Sequence, residues 1–561
     1  MRQLIVVATA LALALPAPAA AARFAVGVER GSSAERLAAR IEAKTGRSAS
    51  PIGPFALVVD APSAKGLASV RGVSFVERVD KSRRLAFVPN DPLLPRQWYL
   101  ERIRAFEAWS RIPALLPVRV AIVDSGIDAD HPDLEDAIVD GRSFVNSSWR
   151  RDSNGHGTFV AGQIAASTNN NQGIAGIAFS AQLLIAKVVR ADQTISLEAE
   201  AHAIRWAVDR GARVINLSFG GVRDPRNPDR DTYSPLEASA IEYAVRNGVL
   251  VVAAVGNSES ANGEPGAYAG YPAALPHVLG VSAINRDGSV PSFSNSDKIF
   301  NDLAAPGEGI FSTIPRALTV NGSRATCSVP GYSDCGPGEF RRGEGTSFAA
   351  PQVTAAAALL MAEDPLLRPE QAANLLERSA VDATPARGCK RCWAGRDWYT
   401  GWGSLDVAAA VDLLTGPLPD ADFREPNDEA GSHAPLLWGK RRKNLVATID
   451  YWQDQTDIYR VWLRRGQRIR ATLIGPSESE ADLFLWKPGT RRVTGFPDQR
   501  RLAASATVGT QRRIRYRAPA RGWYYLQVKI TGPGAGRYTL RYFKQAPRRT
   551  LAGPARPGRI A

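Results

Sequence analysis

The chain has 561 residues and a formal net charge of +15. Its length excludes one ordinary hydrophobic core and predicts two to four domains. No apolar run reaches the roughly twenty residues that cross a bilayer, and no nucleic-acid-binding motif accompanies the positive charge, so a membrane-spanning chain and a nucleic acid partner are both set aside.

Taken in chain order, Arg2, the apolar run from Leu4 to Leu15, and Pro16, Pro18 and Ala19 to Ala22 supply the charged, hydrophobic and small-residue parts of an export signal. Residues 1–22 are therefore expected to be removed and the mature protein to be secreted and extracellular. Residues 23–89 read as a small α/β unit. Phe24 to Val28 is a strand, and Ser32-Ser33-Ala34-Glu35 offers a capping box to a helix that carries Leu37 and Ile41 at i, i+4. A strand from Phe55 to Val59, a helix near Ala64 to Val70 and a strand from Ser74 to Val79 follow.

The region 90–414 carries candidate chemistry. Val120-Ala121-Ile122-Val123 is a buried-type strand that ends in Asp124, where an α/β sheet exposes its functional residues. Gly155-His156-Gly157 sets a histidine at a helix start, with glycines on either side that allow close approach. Val251 to Val255 is another apolar run, and it ends in Gly256-Asn257. Gly345-Thr346-Ser347-Phe348-Ala349-Ala350-Pro351 places a serine on a small-residue turn opening into an alanine-rich helix, whose first N–H groups and positive end favour negative charge. A histidine can take the serine proton while a buried carboxylate fixes its tautomer. The Asn257 amide and a backbone N–H can together hold the oxyanion of a tetrahedral intermediate. Read singly, each motif has a plainer meaning: an N-cap at Thr346-Ser347, a turn at Gly256-Asn257. His131, before Pro132, reads as a turn residue.

Four such elements in the order Asp, His, Asn, Ser resemble the subtilisin-like serine peptidases, from about Gln97 to about Leu414. The resemblance implies an α/β fold of three layers around a central parallel sheet, preceded by a small α/β propeptide and followed by a further domain. It implies a serine endopeptidase acting through an acyl-enzyme, with Asp124, His156 and Ser347 as the triad and Asn257 as the oxyanion-hole residue. Leu217, Ser218, Phe219 and Gly220 become the edge segment that pairs with extended protein or peptide substrate. Residues 23–89 become a propeptide that inhibits its own enzyme, with the junction near Val88 to Pro92. His131-Pro132-Asp133 and the loop Thr168 to Ile174 resemble the family's calcium site, giving Gln97, Asp133, Thr168, Asn170, Gln172 and Ile174 as ligands to calcium. The chain departs from the family at Phe348, often Met, and at Gln352, often His; neither position carries the chemistry.

Four cysteines in an exported chain suggest two disulfides, and local pairing of Cys327 with Cys335 and of Cys389 with Cys392 is expected. A zinc site and a redox Cys-x-x-Cys are alternatives that the spacing and sequence context disfavour.

After Leu414 the composition changes. Residues 415–421 form a Pro/Gly linker, expected to leave few contacts between the domains it joins. Residues 422–545 alternate as short strands, among them Ile458 to Leu463, Arg468 to Leu473, Asp482 to Trp486, Trp523 to Val528 and Tyr538 to Tyr542, which predicts a β-sandwich. The pattern resembles the bacterial pre-peptidase C-terminal domain. Residues 546–561 are a basic Pro/Gly-rich tail. Residues 421–561 hold 28 Lys+Arg against 11 Asp+Glu, a net of +17, while the other 420 hold 42 against 44, a net of −2. The basic excess thus lies wholly in the C-terminal module, and anionic cell-surface polymers are candidate partners of a protein expected to be monomeric. The plain alternative is a solvated, soluble face. A second function stays open as well: an idle, subtilase-shaped binding protein whose basic module carries the role.

Overall fold

The computed structural model describes residues 22–29, 31–79, 87–112, 115–258, 262–318, 339–418, 422–438, 443–476, 479–494, 497, 499–506 and 511–545. They divide into two units, parted after Leu85. The export signal up to residue 21, Cys327, Cys335 and the tail from 546 lie outside the described residues.

In the first unit, β1 (Ala22–Val28), β2 (Ala49–Gly53), β3 (Ala56–Ala61) and β4 (Val73–Arg78) form an antiparallel sheet in the order β2-β3-β1-β4. Helix Ala34–Thr45 starts where Ser33 Oγ accepts the Arg36 N–H at 3.2 Å, and it stops at Gly46, whose φ of 66° a residue with a Cβ rarely adopts. Its Leu37 and Ile41 are fully buried with Val26 and Leu57 of the sheet. Strand β2 was not foreseen. Its Ala-Ser-Pro-Ile-Gly sequence lacks the alternating signal, and Pro51 is tolerated because β2 is an edge strand.

The second unit is built on a seven-stranded parallel sheet: β5 (Val118–Asp124), β6 (Ile138–Ser143), β7 (Ala181–Lys187), β8 (Val214–Leu217), β9 (Leu250–Ala254), β10 (Val278–Ile284) and β11 (Leu303–Pro306), ordered β11-β10-β9-β8-β5-β7-β6. The strands read as continuous apolar runs because both faces are covered. Val120 and Ile122 of β5 join the core of helices His156–Ala165 and Thr346–Glu363, whereas Ala121 and Val123 join that of Leu197–Asp209 and Pro235–Arg246. A sheet between two helical layers results. Strands β12 (Ile310–Thr313) and β13 (Phe340–Gly343) pair antiparallel beside it.

Farther along the chain, eight strands form two antiparallel sheets. One takes the order β14 (Lys443–Asp450), β21 (Ala535–Gln545), β16 (Arg468–Ile474), β19 (Gln511–Arg517); the other takes β15 (Thr456–Leu463), β20 (Gly522–Ile530), β17 (Ala481–Trp486), β18 (Arg501–Ser505). Their inward residues, among them Tyr459, Leu483, Tyr524, Leu526 and Leu540, share one core, as a sandwich requires.

The expectation of few contacts across the linker is overturned. Asn374 Nδ2 donates to Asp450 Oδ1 at 2.6 Å, the Arg378 guanidinium lies 5.0 Å from the Trp452 ring centroid, Trp402 packs on Tyr451 at 5.4 Å, and Arg368 covers Phe423 at 4.9 Å. The linker's composition is silent on this, because the seam is made by side chains on either side of it.

Candidate active site

Asp124 stands at the C-terminal end of β5, 2% exposed, and holds His156 Nδ1 at 2.9 Å with Oδ1 and at 3.0 Å with Oδ2. The Ser125 N–H donates to the same Oδ1 at 2.7 Å. The approach depends on Gly157: a Cβ there would meet Gly126 O at 2.2 Å and Asp124 Cβ at 3.2 Å, so only glycine lets the histidine helix lie this close to β5. Burial lowers the His156 pKa, and the charge and hydrogen bond of Asp124 outweigh it, leaving the imidazole above its ordinary value. With Nδ1 committed to Asp124, the ring's working nitrogen is Nε2.

A second buried acid, Asp152, fixes this helix. Its Oδ1 accepts from Ser125 Oγ (2.8 Å), Asn154 N (3.1 Å) and Gly155 N (2.8 Å), and its Oδ2 accepts from Thr158 N (2.9 Å) and Thr158 Oγ1 (2.7 Å). Ser125 Oγ in turn accepts the Gly157 N–H at 2.8 Å, tying the Asp124 strand to the His156 helix. The sequence reading passed over Asp152. The signal was there: an acid a few residues before a helix start satisfies the N–H groups that the first turn leaves open.

Ser347 is the second residue of helix Thr346–Glu363. Its Oγ donates to Ser218 O at 2.9 Å, and Ser218 Oγ donates to Ser347 O at 2.8 Å. Behind them Asn216, fully buried, donates to Ser218 Oγ at 2.8 Å and accepts from Thr354 Oγ1 at 2.9 Å, so this turn is braced by polar groups with partners. Asn257 Oδ1 accepts both the Thr346 N–H and the Thr346 hydroxyl at 2.8 Å, which orients the amide and leaves Nδ2 as its donor. At Gly345, with φ 146°, a Cβ would meet Asn257 Nδ2 at 3.1 Å and Ser347 N at 3.7 Å. Two donors thus border one small space that the missing Cβ keeps open. Phe348 packs against Phe159, at 4.2 Å between ring centroids, and against the His156 ring, at 5.4 Å. Gln352 is fully buried and donates to Pro306 O and Phe348 O. Of the edge segment, Leu217 closes β8, and the chain beyond Gly220 pairs Gly221 N with Tyr271 O at 2.7 Å.

The residues expected to hold calcium come together differently. Asp133 Oδ2 accepts the Ile174 N–H (2.9 Å), its Oδ1 accepts from Asn170 Nδ2 (3.3 Å), Asn170 Oδ1 accepts the Gln172 N–H (2.9 Å), and Gln97 Oε1 accepts the Ala175 N–H (2.8 Å). Thr168 Oγ1 is bound to Ala166 O and Gly176 N. The side-chain oxygens of Asp133, Asn170, Gln97 and Thr168 are thus each engaged by one N–H of the loop or its flanks. Burial pushes Asp133 up to about 6. Asp91, which the sequence reading did not single out, accepts the Asn169 N–H at 2.9 Å and anchors the same loop.

Carboxylates that keep some oxygens without a partner among the described residues gather at the seam of the two domains, beside Glu425, whose two oxygens accept from Asn427 N (2.9 Å) and Asn427 Nδ2 (3.3 Å). Single ligand atoms of Asp422, Glu425, Asp454 and Asp457 lie within 4.8 Å of one another, and so do those of His277, Glu425 and Asp428. Asp422 Oδ2, 96% shielded, and the fully buried Asp457 Oδ1 lack a hydrogen-bond partner among the described residues. Asp457 Oδ2 accepts from Tyr459 and Tyr538. His277 Nε2 is 3.4 Å from both Glu425 Oε2 and Asp428 Oδ2, which looks like an ion pair. Burial nevertheless pushes His277 down to about 4 and both carboxyls well above their ordinary values, which weakens the pair as an ion pair. Cys389 and Cys392 are joined by a disulfide.

Compared with known proteins, residues 117–403 match the profile described as the subtilase family of peptidases. Thermitase of Thermoactinomyces vulgaris is 34% identical over 312 residues, 55% of this chain and 96% of thermitase. Subtilisin E of Bacillus subtilis is 34% identical over 296 residues, 52% of this chain and 65% of its own, and subtilisin DY of Bacillus licheniformis is 33% identical over 295 residues, 52% of this chain and 90% of its own.

Proposed function

Because the chain belongs to the subtilase family and is a serine-type endopeptidase, we propose that Ser347 is its nucleophile, His156 its general base and acid, and Asp124 the carboxylate that orients and charges the histidine. The observation that carries this reading is the clasp of His156 Nδ1 by both oxygens of a buried Asp124. In the attack the Ser347 hydroxyl turns from Ser218 O to His156 Nε2, gives up its proton there, and its oxygen bonds to the scissile carbonyl carbon. The carbonyl oxygen, now negative, is held by Asn257 Nδ2 and Ser347 N at the opening Gly345 provides. His156 then passes the proton to the leaving amine, and water repeats the sequence in reverse to release the acyl group. Leu217, Ser218, Phe219 and Gly220 offer backbone to an extended peptide as an added strand.

The first unit is read as a self-inhibiting propeptide, cut near Asn90, and the protein as secreted. The antiparallel sheet with two helices supports the former. The apolar start of the sequence supports the latter, and no helix among the described residues is long and apolar enough to cross a membrane. Calcium is assigned to the seam rather than to the Asp133 loop: hard carboxylate oxygens of Asp422, Glu425, Asp454 and Asp457 suit it, and Asp422 Oδ2 and Asp457 Oδ1 have no hydrogen-bond partner among the described residues to compete with a cation. The basic C-terminal module is the candidate contact with anionic cell-surface polymers.

Ser347→Ala tests the core of this proposal. Peptide hydrolysis falls by about 10⁴–10⁶, and the precursor stays uncut near Asn90. Normal hydrolysis or processing by this variant would remove Ser347 from the role.

A further inference from the structure

The +17 of the C-terminal module is not spread evenly. In the sheet β14-β21-β16-β19, Ile469, Ala471, Leu473, Ile514 and Leu540 point into the core, so the alternate positions point out. The outward positions of β16 and β19 include Arg468 and Arg470, and Arg513, Arg515 and Arg517, all exposed. The register sets Arg468 opposite Arg517 and Arg470 opposite Arg515, and Thr472 lies between Arg513 on one side and exposed Arg541 of β21 on the other. No outward position of these three strands is Asp or Glu.

Like charges directly opposite one another destabilise a sheet, and a face built for solubility alone would mix both signs. Protection of an exposed edge would need charge only on the edge strand β19, whereas β16 is an interior strand and carries the charge too. Every cation among these positions is an arginine, whose planar fork grips phosphate, sulfate or carboxylate oxygens two at a time. The Arg513 guanidinium also donates to Gln511 Oε1 at 2.9 Å, which orders it in the plane of the face. At the far side, the C-terminal end of β14 is tied down by the Asn374–Asp450 hydrogen bond, and the arginines concentrate on β16 and β19.

We propose that this arginine face docks a linear anionic polysaccharide, its charges carried as phosphate, sulfate or carboxylate groups along the chain. Neighbouring arginines stand about 6.6–6.8 Å apart along a strand and about 4.8 Å apart across strands, a grid that a flexible polyanion can follow. Nucleic acid is disfavoured because the outward positions of β16 and β19 hold no aromatic ring and those of β21 only the half-buried Phe543, too few for successive bases to stack. A bilayer is disfavoured because the same positions offer no apolar stripe to insert. This deepens the polymer-contact reading of the basic module and is independent of the proteolytic one.

The test uses the full chain bearing Ser347→Ala, to prevent self-digestion, with dextran sulfate as the probe. Arg470→Gln/Arg515→Gln/Arg517→Gln is compared with Arg465→Gln/Arg500→Gln/Arg521→Gln, which removes as much charge from exposed positions elsewhere in the module. The face variant is expected to lose at least tenfold in affinity and about three from the slope of log K against log salt, while the control stays within twofold of the parent. Equal losses in both variants, or no loss in the face variant, overturn the proposal. Duplex DNA or phosphatidylglycerol vesicles that outcompete dextran sulfate on the parent chain overturn the choice of polysaccharide. Melting curves confirm that the face variant folds, since removing opposed charges is expected to leave Tm unchanged or raised. Peptide turnover by the same triples with Ser347 restored stays at the parental rate, so a failed docking result leaves the peptidase reading standing.

Discussion

Two groups of buried carboxylates in this molecule solve the same problem in opposite ways. Around His156, Asp124 and Asp152 receive N–H, O–H or imidazole donors on all four oxygens. At the domain seam, Asp422, Glu425, Asp428, Asp454 and Asp457 crowd together, several oxygens lack a partner among the described residues, and burial raises each of these groups above its ordinary value. A buried carboxylate with donors is a fixed instrument. One without them must take a proton or a cation.

The sharpest way to break this comparison is to remove the instrument's charge while keeping its shape. Asp124→Asn should lower kcat by about 10⁴ with little change in KM, because the histidine loses its tautomer and its counter-charge. It should also move the acid limb of kcat/KM. In the parent the raised His156 pKa places that limb above the ordinary histidine value of 6.5, and activity falls below it as the base becomes protonated. In the variant the limb shifts to lower pH. A limb that stays put would show that Asp124 is not what raises it. Asp152→Ala, which strips donors from a group that touches no substrate, should cost about 10–100-fold in kcat together with several degrees in Tm. Asp152→Asn should recover part of both, because an amide oxygen still accepts from Gly155 N or Thr158 N.

At the seam the expected effect is on stability. Calcium held only by the folded chain adds about 2.7 kcal/mol at a hundredfold excess over Kd, so chelation should lower Tm and separate the sandwich signal from that of the parallel-sheet domain. Asp457→Asn should abolish the calcium response and Asp133→Asn should leave it intact. The reverse pattern would return the cation to the loop at Thr168 to Ile174.

How much of this could be read from residues alone follows the same physics. Strands β5 and β9 and the Asp124, His156, Asn257 and Ser347 motifs stand out in the sequence because apolar or small-residue runs meet turns that glycine supplies, at Gly157 and Gly345 above all, whereas the other five parallel strands carry no such motif. Asp152 was not, since an acid in a polar loop looks solvated until its five donors are seen. Strand β19, Gln-Arg-Arg-Ile-Arg-Tyr-Arg, hid for the opposite reason: four arginines mask an alternation in which only Ile514 and Arg512 are buried. Arg512 pairs there with Asp482 at 3.0 Å. The seam was least legible, because Asn374 meets Asp450, and His277 meets Glu425, only after two domains have folded, and a Pro/Gly linker gives no hint of what flanks it.

A third set of acids sharpens the rule where no ion can help. Glu200 on helix Leu197–Asp209 and Glu237 on helix Pro235–Arg246 are 3% and 4% exposed and face each other, with Glu200 Oε1 and Glu237 Oε2 unpartnered among the described residues. Two carboxylates are too few to cage a cation, so a proton must serve. Burial, and for Glu200 the neighbouring Glu237, push the pair up to about 9 and about 7. Between the ordinary Glu value of 4.5 and these raised values the folded chain holds more protons than the unfolded one, so the stability the pair provides is complete at low pH and drains away as pH rises through neutrality. Glu200→Gln offers Glu237 an amide donor and removes the titration of Glu200. It should therefore match the parent near pH 5 and exceed it by about 1–3 kcal/mol near pH 9, a gain of roughly 2–4 °C in Tm for each kcal/mol in a domain of this size. Thermal melts across that range decide it: parallel Tm curves for parent and variant would mean that the two glutamates find donors after all, and that buried acids in this protein do not sort by the company they keep.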